Sequence, residues 1–190
     1  METEHADPAE LAALRTAFAA AEGASALGWE GARAFEAEHG IVLPEPYRTF
    51  VAEIADGSPL GPPERGLLSL AEMAERTEPE YLARPFPLTE EWLGEWDDGV
   101  DSDDELYWER LEDLTYDGSL YLGTEGCDMD WHLIVTGPAR GHIWLLDGES
   151  AVPFGTDRGQ MPGTPGFAGW TSHWSASRPW FPDLDEVVNL

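Results

Sequence analysis

The chain has 190 residues, a length that suits one domain with a single core. Its 42% hydrophobic content, with nine Trp, seven Phe and five Tyr, excludes a disordered chain. The 38 acidic residues face ten arginines and no lysine, and the formal charge of -28 excludes nucleic acid and anionic membranes as partners. A basic protein would be attracted, although such a charge can also serve solubility alone.

Two features bear on the compartment. The N-terminal METEHADPAE is acidic and lacks the apolar run of a signal peptide, and no later stretch is long and apolar enough to span a membrane. The only cysteine, Cys127, excludes an internal disulfide and fits a reducing compartment. We therefore expect a cytoplasmic protein.

The N-terminal part of the chain predicts three helices. The first begins at DPAE (7–10), a capping-box-like start with proline in the first turn, and stops at Gly23. The second begins after Ser25 and ends at Gly40, a residue suited to a left-handed C-cap. The third covers YRTFVAEI (47–54), whose apolar residues follow helical spacing.

The middle of the chain is rich in loop residues. SPLGPPERG (58–66) predicts a loop, and a short helix is expected at 71–76. The stretch 84–105 combines Pro, Gly and acids, which predicts an exposed acidic loop within one domain covering 1–190. A further short helix is expected at 106–114.

The C-terminal half predicts a sheet followed by a helix. Strand patterns are present at 118–123, 131–136, 142–146 and 151–154, and the glycines of GPARG (137–141) predict a hairpin turn. Three aromatic residues then recur at helical spacing and predict a closing helix that packs on the sheet: Phe167, Trp170 and Trp174. The expected fold class is α+β, with a central, mainly antiparallel sheet flanked by N-terminal helices and a C-terminal helix.

Several patterns resemble chemical sites. Cys127 and His132 are too few for zinc, and acids around the cysteine oppose a reactive thiolate. The glycines of 137–141 lack the lysine and hydroxyl residue of a phosphate-binding loop. Five acids fit a calcium-loop template, but Leu106 stands where that loop needs glycine. These acids are Asp101, Asp103, Glu105, Glu109 and Glu112.

Four segments, in order, resemble the SUKH superfamily, and more narrowly its Smi/Knr branch, named after a fungal cell-wall-assembly regulator. They are FEAEHGIVLPEPYRTFVAEIADG (35–57), LARPFPLTEEW (82–92), DGSLYLGTEGCDMDWHLIVTGPARGHIW (117–144) and FAGWTSHW (167–174). The similarity covers roughly residues 30 to 175. The residues that match the family pattern are Leu43, Pro44, Tyr47, Phe50, Gly57, Gly126, Gly137, Arg140, Gly141 and Trp144.

The resemblance implies an α+β fold without known catalytic residues, and we expect neither a metal nor a cofactor. Many bacterial members of that family are immunity proteins that neutralise toxins, often nucleases or deaminases, and others are regulatory modules. We therefore expect a non-enzymatic protein that binds a toxin domain through an acidic surface; the oligomeric state stays open. The residues expected to contact the partner are Trp92, Trp96, Asp97, Asp98, Asp101, Asp103, Asp104 and Glu105.

Two alternatives stay open. The first is an intracellular regulatory scaffold of the cell-wall-regulator type, without a toxin partner. The second is an acidic carbohydrate hydrolase, because sugar hydrolysis uses paired carboxylates and indole rings stack on sugars. Many acidic, Trp-rich chains meet that second description, so it has no distinctive motif behind it.

Overall fold

A five-stranded antiparallel sheet carries helices on one of its faces, which confirms the α+β fold class. The computed structural model describes residues 5–21, 25–77, 79–93, 116–147, 150–156, 161 and 163–181. These residues form six helices: α1 (Pro8–Ala17), α2 (Gly28–His39), α3 (Tyr47–Glu53), α4 (Leu70–Ala74), α5 (Pro79–Ala83) and α6 (Phe167–Ser175).

Local chemistry sets most helix ends. The Asp7 side chain accepts a hydrogen bond from the Ala9 backbone N–H, which caps α1 as the sequence predicts. Gly40 takes the left-handed conformation at the end of α2, with φ of 66°. Ser69 and Glu72 form a reciprocal capping box at the start of α4.

Two helix predictions differ from the structure. The first helix ends at Ala17 rather than near Gly23, because the chain turns at Phe18 and packs that ring 4.7 Å from the ring of Phe50. The five-residue α5 is too short to give a periodic signal, and the sequence did not predict it. The helix expected at 106–114 lies outside the described residues.

The strands follow the predicted meander. They are β1 (Trp92–Leu93), β2 (Ser119–Gly126), β3 (Met129–Ile134), β4 (Ile143–Leu146) and β5 (Ser150–Pro153), and they lie in the order β1-β5-β4-β3-β2. The register of β3 and β4 pairs His132 with Trp144. The 137–141 loop joins these two strands, so its prediction as a hairpin turn is confirmed.

Side-chain alternation divides the sheet residues between two cores. Trp131 and Leu133 point into the main core, where they join the aromatic residues of α3 and α6. Ile134 and Trp144 belong to a smaller core together with Phe86, which comes from the segment before β1. The sheet is therefore covered by helices on one face and by residues of the 84–93 segment on the other.

The 84–93 segment, which we call the covering segment, is attached to the sheet at a few positions. Phe86 is only 1% exposed, and Trp92 pairs with Ala151 at the edge of the sheet. Seven of the ten residues at 84–93 are exposed and 84–91 form no helix or strand, so this part of the predicted loop is exposed but is fixed to the sheet by Phe86, Leu88 and Trp92. The sequence did not predict this attachment, because Pro and acidic residues dominate the stretch around a single buried aromatic ring. The remaining part, 94–105, lies outside the described residues.

Within the described ranges, no helix combines the length and the apolar character that crossing a membrane requires.

Candidate functional site

Two parts of the family pattern, the 137–141 turn and the Leu43-Pro44 link, lie against each other in the structure. The Arg140 side chain donates a hydrogen bond from Nη2 to the backbone carbonyl of Val42, 3.2 Å away and 98 positions earlier in the chain. A Cβ on Gly141 would lie 3.8 Å from the Pro44 ring. The hairpin thus docks on the link between α2 and α3, and Arg140 braces that contact.

The aromatic members of the pattern form the main core. Tyr47 and Phe50 lie on α3, and their rings are 4.9 Å and 5.0 Å from the ring of Phe167 on α6. Leu43 is fully buried beside them, whereas Trp144 is buried in the smaller core. The remaining glycines, Gly57 and Gly126, hold positive φ angles of 85° and 92°. These positions therefore specify the fold.

Close packing leaves no space for a side chain at Gly137. A Cβ at this position would lie 2.8 Å from the backbone nitrogen of Phe86 and 2.9 Å from its carbonyl oxygen. The Phe86 N–H donates to the carbonyl of Thr136 at 3.0 Å. The covering segment therefore passes directly over the turn, and the glycine leaves room for protein backbone.

Ser119 and His132 form a buried pair on neighbouring strands. Ser119 Oγ lies 2.7 Å from His132 Nδ1, and both residues are almost fully buried. Burial disfavours the charged imidazole and lowers the pKa of His132 to about 3. The pair resembles a nucleophile and its base, but burial separates it from any substrate.

Cys127 lies in the exposed turn between β2 and β3. Its φ of 52° and the φ of 60° at Asp128 place both residues in the left-handed region, which a two-residue hairpin turn needs. Among the described residues, no group of three or more His, Cys, Asp and Glu side chains is arranged to hold a metal ion.

Glu125 is a half-buried acidic residue with a raised pKa, a property that catalytic carboxyl groups often have. Burial raises its pKa, and the nearby Glu64 carboxylate adds to the shift. Trp131 Nε1 donates to one carboxylate oxygen at 2.8 Å, and the Glu64 backbone N–H donates to the other at 3.3 Å. The Trp180 indole also donates to this group. The carboxylate therefore connects strand β2 to strand β3, to the loop at Glu64 and to Trp180.

The predicted partner-contacting residues are only partly placed. Trp92 lies on the edge strand β1, half-buried against the smaller core, with the exposed Leu93 after it. This position leaves Trp92 within reach of the surface but gives it a structural contact. The other predicted residues lie outside the described part of the chain: Trp96, Asp97, Asp98, Asp101, Asp103, Asp104 and Glu105.

A polar cavity that the sequence did not predict opens where α2 and α4 end and α5 begins. Its volume is about 400 Å³. We call it the tyrosine cavity. The residues that line it are Glu38, His39, Ala74, Glu75, Arg76, Thr77, Pro79, Tyr81 and Tyr116. These residues come from separate segments, so no local pattern in the sequence could have grouped them.

Comparison of the chain with protein-family models, with curated proteins and with solved structures finds no match. The fold defines an α+β domain with a polar surface cavity, and the resemblance to the SUKH superfamily stays a prediction that depends on the four quoted segments.

Proposed function

We propose that this protein is a non-enzymatic protein-binding module of the bacterial immunity type, which neutralises a basic toxin such as a nuclease or deaminase. The observation that carries the proposal is the charge of -28 on a chain with ten arginines and no lysine. A surface with this charge attracts basic proteins from a distance and repels nucleic acid. Nucleases that act on phosphates are basic at their active sites, so an acidic protein can occupy the place of the substrate.

The distribution of charge supports the proposal. Ten of the 38 acidic residues fall within 94–115, where a single arginine accompanies them. This acidic stretch follows the edge strand β1 in the sequence, and on that strand Trp92 is half-buried and Leu93 is exposed. Buried aromatic anchors surrounded by charged residues are the usual composition of a tight interface.

The described polar groups favour binding over catalysis. Ser119 and His132 pair with each other inside the protein. Glu125 gives both carboxylate oxygens to hydrogen bonds from the chain itself. A general acid or base needs a free position for its substrate, and these groups are already used in holding the fold.

Affinity capture from a lysate of the cells that carry the gene tests this proposal. The immobilised protein should retain a basic, toxin-like protein at about 0.05 M salt and release most of it at about 0.5 M, because exposed charges are screened beyond a few ångströms. The captured protein should then arrest growth when it is expressed alone, and co-expression of this chain should restore growth.

A neutral captured partner that is insensitive to salt would contradict the proposal and favour the regulatory scaffold. A toxin-domain gene directly upstream would favour immunity on independent grounds. Turnover of a glycan by the purified protein, lost on replacing Glu125 with Gln, would favour the hydrolase instead.

A further inference from the structure

We infer that the tyrosine cavity binds a cationic side chain, an arginine or a lysine, presented by the protein partner. The identity of the partner rests on the proposed function, whereas the chemistry of the cavity depends only on its lining residues. Those residues supply a buried hydrogen-bond acceptor, two carboxylates and two tyrosine rings. Each of these groups suits a cation.

His39 supplies the acceptor. The residue is only 3% exposed and is one of those that line the cavity. Nδ1 lies 3.0 Å from the carbonyl oxygen of Phe35, and because a carbonyl only accepts, Nδ1 must carry the hydrogen. When the imidazole is neutral, Nε2 therefore has the lone pair, and among the described residues the hydrogen bond of this side chain is the one at Nδ1. Such a nitrogen pairs with an N–H donor.

The orientation of this imidazole is fixed before any ligand binds. The Phe35 ring stacks on it with centroids 4.2 Å apart and planes 25° from parallel. The two residues are one turn apart on α2, where side chains four positions apart lie on the same face. A fixed acceptor loses little entropy on binding, which favours a specific donor.

The tyrosines supply aromatic surface for the same cation. The Tyr81 and Tyr116 rings lie 5.6 Å apart, and Tyr116 is 36% exposed. The Arg84 guanidinium carbon already lies 4.3 Å from the centre of the Tyr81 ring. The Arg84 guanidinium therefore already packs on the Tyr81 ring as a bound cation would. The exposed Tyr116 ring offers a second aromatic surface for a cation.

The charge of the opening selects a cation over an anion. Glu38 and Glu75 are exposed at the cavity, on α2 and directly after α4. Arg76 also lines it, but its guanidinium lies over the Tyr121 ring at 5.0 Å. Together with the Arg84–Asp117 ion pair beside Tyr81, the opening has three carboxylates against two guanidinium groups, an acidic balance that matches the charge of the whole protein.

Titration of the full-length protein with small probes tests the inference. The probe is N-acetyl-arginine amide, followed by backbone and side-chain NMR, with the lysine analogue as a second cation and the neutral citrulline analogue as the matched control. We expect saturable shifts at Tyr116 and Arg76 with a Kd of about 1–10 mM, the affinity of a single polar side chain. Citrulline should give no saturable shift.

Variants connect the binding to the cavity. Replacing both carboxylates, Glu38→Gln with Glu75→Gln, should weaken arginine binding about tenfold, since two charges near the ligand are lost. Tyr116→Leu should weaken it by about threefold, because the apolar bulk remains but the π face is lost. Glu30→Gln, on the same helix as Glu38 but outside the cavity, should leave binding unchanged.

Equal shifts with citrulline and arginine would overturn the inference, as would arginine binding that survives the two-glutamate variant. The absence of saturable shifts at Tyr116 would overturn it as well. These outcomes are separate from those of the capture experiment. A cavity that binds arginine in a protein that captures no basic partner would reject the proposed function alone.

Discussion

At Gly137 the backbone of Phe86 passes within 3 Å of the place where a side chain would begin. In the sequence this glycine belongs to a loop that superficially resembles a phosphate cradle. The structure gives it a positive φ of 108° and a neighbouring backbone that leaves no space for a Cβ. The turn could be predicted from the sequence, because glycines between two alternating runs are a local signal. The segment that crosses the turn could not be predicted, because no local signal marks it.

Replacing Gly137 with Ala should therefore destabilise the fold more than replacing Gly141. Both glycines have positive φ, so each substitution carries a backbone strain of about 1–2 kcal/mol. Only at position 137 must the backbone of Phe86 also move, and we expect a total loss of about 3 kcal/mol or more there. Urea unfolding of the two variants checks this. Equal losses of stability in the two variants would mean that the backbone of Phe86 moves away from the new Cβ without a cost in free energy.

His132 should make the protein less stable as the pH falls. Its folded-state pKa is about 3, below the ordinary value of 6.5. Between these pH values His132 is protonated in the unfolded chain but stays neutral in the folded protein. The stabilising contribution of His132 is therefore complete above pH 6.5 and is lost toward pH 3. The slope from this residue approaches about 1.4 kcal/mol per pH unit.

Comparison with His132→Gln isolates that slope. Glu125 and Asp56 have pKa values raised by burial, so they favour the fold at low pH and oppose the histidine. Both carboxyl groups are present in the variant too, and their effect cancels in the difference between the two proteins. The variant should be less stable at neutral pH, but the difference should shrink as the pH falls from 6.5 to 4. A constant difference would refute the assignment.

At the scale of elements, Glu36 joins α2, α3 and the link between them. Its carboxylate accepts two hydrogen bonds from Arg48, at 2.7 Å and 2.9 Å, and a third from the Leu43 backbone N–H at 2.9 Å. The Arg48 guanidinium also lies 5.5 Å from the centre of the Trp29 ring. Glu36 is almost fully buried, so this pair is more than a solvent-exposed ion pair.

Glu36→Ala should lower the free energy of unfolding by about 3 kcal/mol, because it leaves the arginine and a backbone N–H without their acceptor. Glu38→Ala, on the exposed side of the same helix, should change stability by less than about 0.5 kcal/mol. Thermal and urea unfolding measure both. The double variant Glu36→Met with Arg48→Met should recover part of the loss, since no charge is then left unpaired. A loss as small as that of Glu38→Ala would contradict this role.

The elements that the sequence predicted are those with local signals. The periodicity of α2, α3 and α6 and the alternation of β2 to β5 depend on neighbouring residues, and these were found with small errors at their ends. The missed elements, α5 and β1, have five and two residues. β1 exists because Trp92 pairs with Ala151, a partner that no local pattern identifies. The tyrosine cavity was missed for the same reason.

At the scale of the whole molecule, the charge of -28 should itself weaken the fold through self-repulsion. Added sodium chloride screens that repulsion, so the Tm should rise by about 2–4 °C, the shift that about 1 kcal/mol produces at this chain length. Near pH 4, close to the isoelectric point of 4.1, the same addition should have little effect. Calorimetry at both pH values compares them. An equal rise at both would assign the effect to the salt itself rather than to charge.

The most direct test of toxin neutralisation is growth of cells that express the captured basic partner with and without this protein. We predict that the partner alone arrests growth and that co-expression restores it, with complex formation that weakens as salt is added. A partner that is harmless by itself would contradict the proposed function. So would a partner that forms a stable complex with this protein and still arrests growth.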